Sequence, residues 1–450
     1  MNITITNKII IEDAPKEVLK NIKTALTLPN PMYFKMMRMG NVSALYGLKQ
    51  FFKYYSLLDK KLFIGRGFEN KLIKFLKTNH YDYTYKNITT DKKLTEEFKT
   101  NIQLRTYQRT DIKVIKPKHT GIIRLGTGYG KTIIAIELIK ARQTPTLIIV
   151  PRNHLVQQFS ETIRENAGLK TGIIQGSKED IKEITVASIQ TLVRRPAILD
   201  KIKDYFSMVL VDECHTMITN KRLSVVQMFN AKYIHGLTAT PRRTDEQDKA
   251  IFFTFGDIII SKDLKRKNPE VKLLKTNVNI PILAGYHQMI DLQVENEERN
   301  ALITKAIKKE LEEKRKILIL TKRIAHYQLL ASALTDYKIH TINSSDKDSD
   351  KSSLLKELRE GKQDFDIILG TYSMLSTGTD IPALDTLIFA GDLRSDVLQI
   401  QSVGRILRLF KDKQDPKIID CCDNRNGILF NQAKSRIKTY RELGWLTPNN

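Results

Sequence analysis

The chain is poor in the residues that staple or anchor a protein. It holds three cysteines, Cys214, Cys421 and Cys422, an odd number with no Cys-x-x-Cys pair. That excludes a disulfide framework and a four-cysteine zinc site, and the chain reads as reduced and cytosolic. No uninterrupted apolar run approaches the roughly 18 residues a membrane span needs, and residues 1–11 lack the charged start and small-residue cleavage site of a secretory signal. No membrane partner is expected. Acidic side chains are also in deficit, 50 Asp and Glu against 74 Lys and Arg, which leaves a formal net charge of +24. A hydrophobic share of 41 % is too large for disorder to explain that charge. A polyanion is the natural partner, and nucleic acid is its commonest form. Composition alone leaves open a merely basic soluble protein from an AT-rich genome.

At roughly 100 to 200 residues per domain, 450 residues imply two to four domains. Residues 1–100 carry 18 basic and 9 acidic side chains and 14 of the 34 aromatic residues, so they form a separate unit. Within them, residues 3–11 have the β-branched content of a strand, residues 14–27 look like an amphipathic helix, and Pro29-Asn30-Pro31 is a break. The clusters Phe51-Phe52-Lys53-Tyr54-Tyr55 and Tyr81, Tyr83, Tyr85 suit either base stacking or a small aromatic core, and the core is the expectation. From residue 101 short apolar strands alternate with helical segments, at 120–125, 146–150, 208–211, 317–320, 367–369 and 386–390, the pattern of an α/β parallel sheet covered on both faces. It occurs twice. Residues 261–272 interrupt the series and are the expected linker, and 344–353 reads as a polar loop.

The sharpest local signal is Gly126-Thr127-Gly128-Tyr129-Gly130-Lys131-Thr132, between an apolar strand and the helical run 133–140. Small residues let backbone N–H groups curl around phosphate oxygens, Lys131 is expected to neutralise the outer phosphates, and Thr132 would hold magnesium. Leu125 stands where the strict pattern has its first glycine. Some 80 residues on, Met208-Val209-Leu210-Val211-Asp212-Glu213-Cys214-His215 delivers two carboxylates to the carboxyl end of a strand. That is where a parallel sheet meets its ligand, so Asp212 suits the magnesium shell and Glu213 the orientation and deprotonation of an attacking water. Cys214 and His215 have no further ligands at metal-binding spacing. Phosphoryl transfer spreads negative charge over equatorial oxygens, which guanidinium groups stabilise; Arg405 and Arg408, one helical turn apart, suit that task.

These residues resemble the superfamily 2 helicases and translocases. Leu104-Arg105-Thr106-Tyr107-Gln108 is similar to the glutamine motif, which implies that Gln108 reads adenine. Asp212 to His215 resembles the second motif, Gly236-Leu237-Thr238-Ala239-Thr240-Pro241 the third, which couples hydrolysis to movement, and Gln401 to Arg408 the sixth. By that resemblance Arg408 is the arginine finger and Arg405 its phosphate-binding neighbour. Gly378 and Asp380, in Ser376-Thr377-Gly378-Thr379-Asp380, resemble the fifth motif, which senses nucleotide. The resemblance covers residues 101–420 and implies two tandem RecA-like lobes, 101–262 and 263–450, with ATP and Mg²⁺ as cofactors, behind an α+β basic module at 1–100.

Strand-end loops with Arg152 and Asn153, with Ser188, Gln190 and Thr191, with Arg323, and with Thr371 offer amides, hydroxyls and cations that suit phosphates rather than base edges. They match the positions where relatives hold the tracking strand. Asn30-Pro31-Met32-Tyr33 and Ile64-Gly65-Arg66-Gly67-Phe68 look like the amino-terminal module of UvsW-type phage helicases and their XPB-like relatives. That likeness implies 3′ to 5′ movement, branched or forked DNA as partner, and the host cytoplasm if the gene is a phage's. An ATP-gated annealing factor, an RNA helicase and a translocase like type III restriction subunits are the alternatives, and the last of these has extra length and a nuclease-like signature that this chain lacks.

Overall fold

The computed structural model describes all residues except 41–42, 127, 218, 240–248, 265–266, 283–284, 343–345, 347, 373–380, 409, 411 and 448–450. They fall into two compact units, Met1–Asp263 and Leu264–Asn450.

In the first unit the apolar runs build an eight-stranded sheet in the order Lys178–Asp180, Gly172–Gln175, Ile184–Ser188, Thr146–Val150, Met208–Val211, Tyr233–Thr238, Thr120–Leu125, Ile258–Lys262. All pairings are parallel except that of the outermost Lys178–Asp180. The central strands Thr146–Val150 and Met208–Val211 are buried along their whole length, which is why they read as continuous rather than alternating apolar runs. A core of Leu147, Ile149, Val209, Val211, Leu192, Ile198 and Phe206 fills one face of the sheet. The parallel arrangement brings the carboxyl ends of the central strands to one edge, where residues 126–130 and 212–215 lie.

A five-stranded sheet precedes it, in the order Tyr55–Leu58, Lys61–Ile64, Ile9–Glu12, Asn2–Ile5, Thr84–Asn87. The single strand expected over residues 3–11 is a hairpin, because Thr6 Oγ1 donates to Lys8 O at 3.1 Å and turns the chain between Asn2–Ile5 and Ile9–Glu12. Helices Lys16–Ala25 and Glu69–Thr78 lay Val18, Ile22, Leu72 and Leu76 on Ile3, Ile5, Ile9 and Ile11. The Pro29-Asn30-Pro31 break is a helix start: Asn30 accepts from Met32 N at 3.1 Å, with Pro31 in the first turn of Pro31–Arg38.

This small sheet is fastened to the larger one through residues 65–67. The buried guanidinium of Arg66 donates to Thr6 O at 3.0 Å on its own side and to Ala231 O at 2.9 Å and Lys232 O at 3.3 Å on the other. Gly65 and Gly67 press on the helix Lys249–Phe255. A β-carbon at Gly65 would lie 2.1 Å from Phe253 O, and one at Gly67 would lie 2.2 Å from Phe252 O. Only glycine allows that approach.

The second unit has a six-stranded, wholly parallel sheet in the order Glu270–Lys275, Lys417–Cys422, Thr386–Phe389, Ile317–Thr321, Ile367–Thr371, Ile339–Ile342. Buried ion pairs tie helices to its strand ends: Arg436 with Asp420 at 2.6 Å and Arg299 with Asp423 at 2.7 Å. Both ends of the linker expected at 261–272 are strand residues instead, in Ile258–Lys262 and Glu270–Lys275, because β-branched and leucine residues next to the polar Lys-Arg-Lys-Asn-Pro stretch pair with neighbouring strands. The polar loop expected at 344–353 is corrected in the same way from residue 348 onward, which belongs to the helix Asp348–Arg359. Among the described residues no helix is long and apolar enough to cross a membrane.

Candidate functional site

The strand Thr120–Leu125 ends at residues 126–130, and the helix Lys131–Arg142 follows. Gly128 at φ 74° and Gly130 at φ 100° take left-handed conformations that glycine adopts without strain. Beneath the loop, Gln108 Nε2 donates to Tyr129 O at 3.0 Å while Gln108 Oε1 accepts from Arg105 N at 3.0 Å. A β-carbon on Gly130 would fall 2.7 Å from that same Nε2. Tyr129, expected at the nucleotide, turns its side chain inward. Its hydroxyl donates to Asp111, and its ring sits 4.6 Å from that of Tyr107. Asp111 was not singled out from sequence, although it lies one helical turn after Gln108. Gly126 is likewise confined, since a β-carbon there would be 2.4 Å from Asp263 Oδ1, and Asp263 itself is paired with Arg124. Lys131 and Thr132 occupy the first helical turn, where N–H groups and the helix dipole favour an anion.

The strand Met208–Val211, separated from Thr120–Leu125 by Tyr233–Thr238, carries Asp212 and Glu213 beyond its end, with Asp212 N donating to Ile149 O at 2.8 Å. Glu213 has φ 46°, a left-handed conformation that costs a non-glycine residue about 1–2 kcal/mol. That turn brings its carboxylate into direct contact with Lys131 Nζ. His215 Nδ1 stands 3.2 Å from Glu213 Oε2 and 2.8 Å from Thr238 Oγ1, so the two strand ends are joined through one imidazole. Burial works against the charge on Glu213, but Lys131 and His215 outweigh it and hold the carboxyl at about 2. Asp212 goes the other way, raised to about 6 by burial and by the neighbouring Glu213 charge. Burial also opposes the charge on Lys131, yet Glu213 and Asp212 raise its pKa overall.

Cys214 is packed under Gly236, where a β-carbon would lie 2.6 Å from its Sγ, and burial pushes its thiol up. It is a packing residue. Among the described residues no three or more His, Cys, Asp or Glu side chains gather to hold a metal. The donor set nonetheless suits magnesium, a hard cation that uses one or two carboxylates and takes its remaining ligands from water and phosphate. Asp212 is a carboxylate whose charge is disfavoured until a cation accompanies it, and Thr132 adds a hydroxyl.

In the second unit Arg405 lies in the last turn of the helix Asp396–Ile406, which Ser395 caps by accepting from Leu398 N at 3.3 Å. Arg408 is not on that helix. The expectation of two arginines on one helical face is corrected, because Val403 and Ile406 anchor the final turn in the core and the chain leaves at Leu407. Lys413 Nζ then fixes the exit by donating to Arg408 O at 2.8 Å and Pro382 O at 3.1 Å. Thr127, Gly378 and Asp380 lie outside the described residues.

Of the residues expected at nucleic acid, Arg152, Asn153 and Gln190 are exposed. Ser188 and Thr191 are buried, the latter accepting from Gly176 N at 2.9 Å, because the strand Ile184–Ser188 runs straight into a helix packed beneath it. Thr371 is buried as well. With Ser188 and Thr191 buried, the expectation at 188–191 narrows to Gln190. Arg323 pairs with Asp291 at 3.1 Å and stands 3.3 Å from His287 Nδ1.

Comparison with known proteins gives two family matches: "Type III restriction enzyme, res subunit" over residues 77–243 and "Helicase conserved C-terminal domain" over residues 298–410. The chain is 30 % identical to "Putative helicase 161L" of Invertebrate iridescent virus 6, over 76 % of this chain and 80 % of the relative. It is 24 % identical to "DNA 3'-5' translocase XPB2" of Sulfurisphaera tokodaii, over 70 % of this chain and 81 % of the relative. Among solved structures, Dbp5 of S. cerevisiae, bound to RNA and ADP BeF3, matches with a TM-score of 0.56 at 13 % identity, covering 76 % of this chain and 88 % of that one. This last likeness is one of fold.

Proposed function

The chain belongs to the superfamily 2 helicases, enzymes that use ATP to act on nucleic acid, and within that family we propose a DNA translocase moving 3′ to 5′ that remodels forks and four-way junctions. The observation that carries the ATPase part is the contact of Lys131 with Glu213, reached from the ends of two strands that flank Tyr233–Thr238. In this reading the loop 126–130 and Lys131 bind the phosphates, and Gln108 holds the loop while reading the base. Asp212 and Thr132 hold Mg²⁺, which supplies charge neutralisation on the phosphate oxygens when bound. Glu213, kept ionised, orients the attacking water and takes its proton. Arg405 and Arg408 bring guanidinium charge to the transferring phosphoryl group, with Gly378 and Asp380 sensing nucleotide. Residues 101–262 and 263–450 act as the two motor lobes.

The choice of DNA is supported by the name of the archaeal relative, by the net charge of +24, and by the UvsW-like amino end with its surplus of lysine. Arg152, Asn153, Gln190 and Arg323 are the proposed phosphate contacts. The packing of Gly65 and Gly67 against Phe253 and Phe252, with the hydrogen bonds of Arg66 to Ala231 O and Lys232 O, supports a module that travels with the motor. The test is ATP-dependent conversion of a synthetic four-way DNA junction, run beside a tailed duplex and an RNA junction. Conversion of the DNA junction in preference to both supports the proposal. Preference for RNA would make the chain an RNA helicase, and binding without conversion would make it an ATP-gated annealing factor.

A further inference from the structure

Part of the aromatic surplus of the first hundred residues packs on the core as expected, Tyr54, Tyr55, Phe75, Tyr81 and Tyr83 lying partly buried against it, whereas Phe51 and Phe52 are not among those residues. That core is aliphatic, built on Ile3, Ile5, Ile9, Ile11, Leu62, Ile64 and Leu72, with Phe68 as its one buried aromatic from these residues. The run at 51–55 also lines a cleft of about 750 Å³ between the small sheet and the larger one. Lys8, Lys49, Lys53, Phe51, Tyr55 and Phe63 line it on one side, and Gln227 and Phe253 on the other. Among the described residues three lysines and no carboxylate border the space. In the short strand Phe51–Lys53 the end residues are exposed and Phe52 is partly buried, so Phe51 and Lys53 share a face, about 7 Å apart. Phe51 leaves 43 % of its surface in solvent, touching Phe34 edge-on at 6.0 Å.

We propose that this cleft binds an unpaired stretch of DNA, with Phe51 and its aromatic neighbours stacking on bases and Lys8, Lys49 and Lys53 holding the phosphates. An exposed ring beside a cation suits a base and its phosphate, and stacking tolerates any sequence because every base has a π-face. A duplex offers the phosphates but keeps its base faces covered. The volume lies within the roughly 300–1,000 Å³ of ordinary ligand sites. The inference rests on DNA being the substrate. It adds a single-strand site carried by the fastened module, apart from the strand-end loops of the motor, so that a parted strand at a branch has somewhere to go.

The test uses the full chain and a short oligothymidylate carrying 5-iodouracil. Photocross-linking followed by peptide mapping should place adducts within residues 49–63, and adducts found only elsewhere would overturn the site even if no variant folded. With fluorescein-labelled oligothymidylate, Phe51→Ala should weaken binding about tenfold and Phe51→Trp should keep it, while a blunt duplex of equal length binds each within twofold. Lys49→Ala with Lys53→Ala should lower the salt dependence of oligothymidylate binding by about 1.4 in slope. Unchanged single-strand binding by Phe51→Ala, or an equal loss on duplex, refutes stacking. A chain that shows the expected cross-links yet fails to convert junctions would sink the remodelling proposal and leave this site standing.

Discussion

Thr238 and His215 meet at 2.8 Å, hydroxyl to imidazole, and through His215 Nδ1 the contact extends a further 3.2 Å to Glu213. The residue proposed to activate water is thereby in touch with the end of the neighbouring strand Tyr233–Thr238.

Lys131→Ala should cut ATP turnover about 100-fold or more, since it removes a preorganised cation from the site of charge development, while DNA binding in the absence of nucleotide persists. Steady-state phosphate release and anisotropy on the same preparation check both halves. Retained turnover would refute the phosphate-loop assignment.

The paired carboxylates should affect stability with opposite signs. Asp212 rises from its ordinary 3.8 to about 6, so the folded chain holds the extra proton between those values and stability falls as pH rises across that window. Asp212→Asn should therefore raise the melting temperature by a few degrees at about pH 7.5, a gain that vanishes near pH 4. Glu213 is held at about 2 against an ordinary 4.5, so its contribution is complete above 4.5 and is lost as pH falls through about 2. Glu213→Gln should lower the melting temperature at neutral pH, with the difference closing in acid. Melting curves of the two variants across pH provide the check, and shifts of the same sign would contradict the environments described.

Arg408→Ala should leave nucleotide affinity within a few-fold and reduce hydrolysis by roughly 10³-fold, the scale of an arginine finger. Equal losses in affinity and rate would point to a defect around the Lys413 contact instead of a role in the transition state.

Gly67→Ala should cost about 2–3 kcal/mol, because its methyl group meets Phe252 O at 2.2 Å and Gly256 N at 2.3 Å, backbone atoms with little room to yield. Gly427→Ala, with nothing within 4 Å, is the control and should be nearly neutral. Denaturant melts compare them; equal stabilities would mean that the two sheets are not pressed together there.

Periodicity and composition made most of the architecture legible. The buried strands 146–150 and 208–211, the glycine loop, and the Asp212-Glu213 pair at a strand end all follow from apolar runs and residue type. Features that depend on distant partners were not legible. Ile258–Lys262 and Glu270–Lys275 owe their strand state to the edges of sheets built elsewhere in the chain, and Ser188 and Thr191 are buried at the start of the helix Ile189–Arg194, on the side it turns to the core. The helix holding Arg405 stops where its core contacts end, which no local pattern announces. Gly65 and Gly67 looked like part of a motif, and only the nearby backbone of Phe252 and Phe253 explains why they are glycine.

The change in composition near residue 100 looks like a place to cut, but Arg66 makes it a poor one. Its guanidinium fills carbonyls on both sides of the join, so a truncated motor would keep Ala231 O and Lys232 O without their donor and would bare the rings of Phe253 and its neighbours. Grafting the amino end onto another helicase would require carrying over the receiving helix as well.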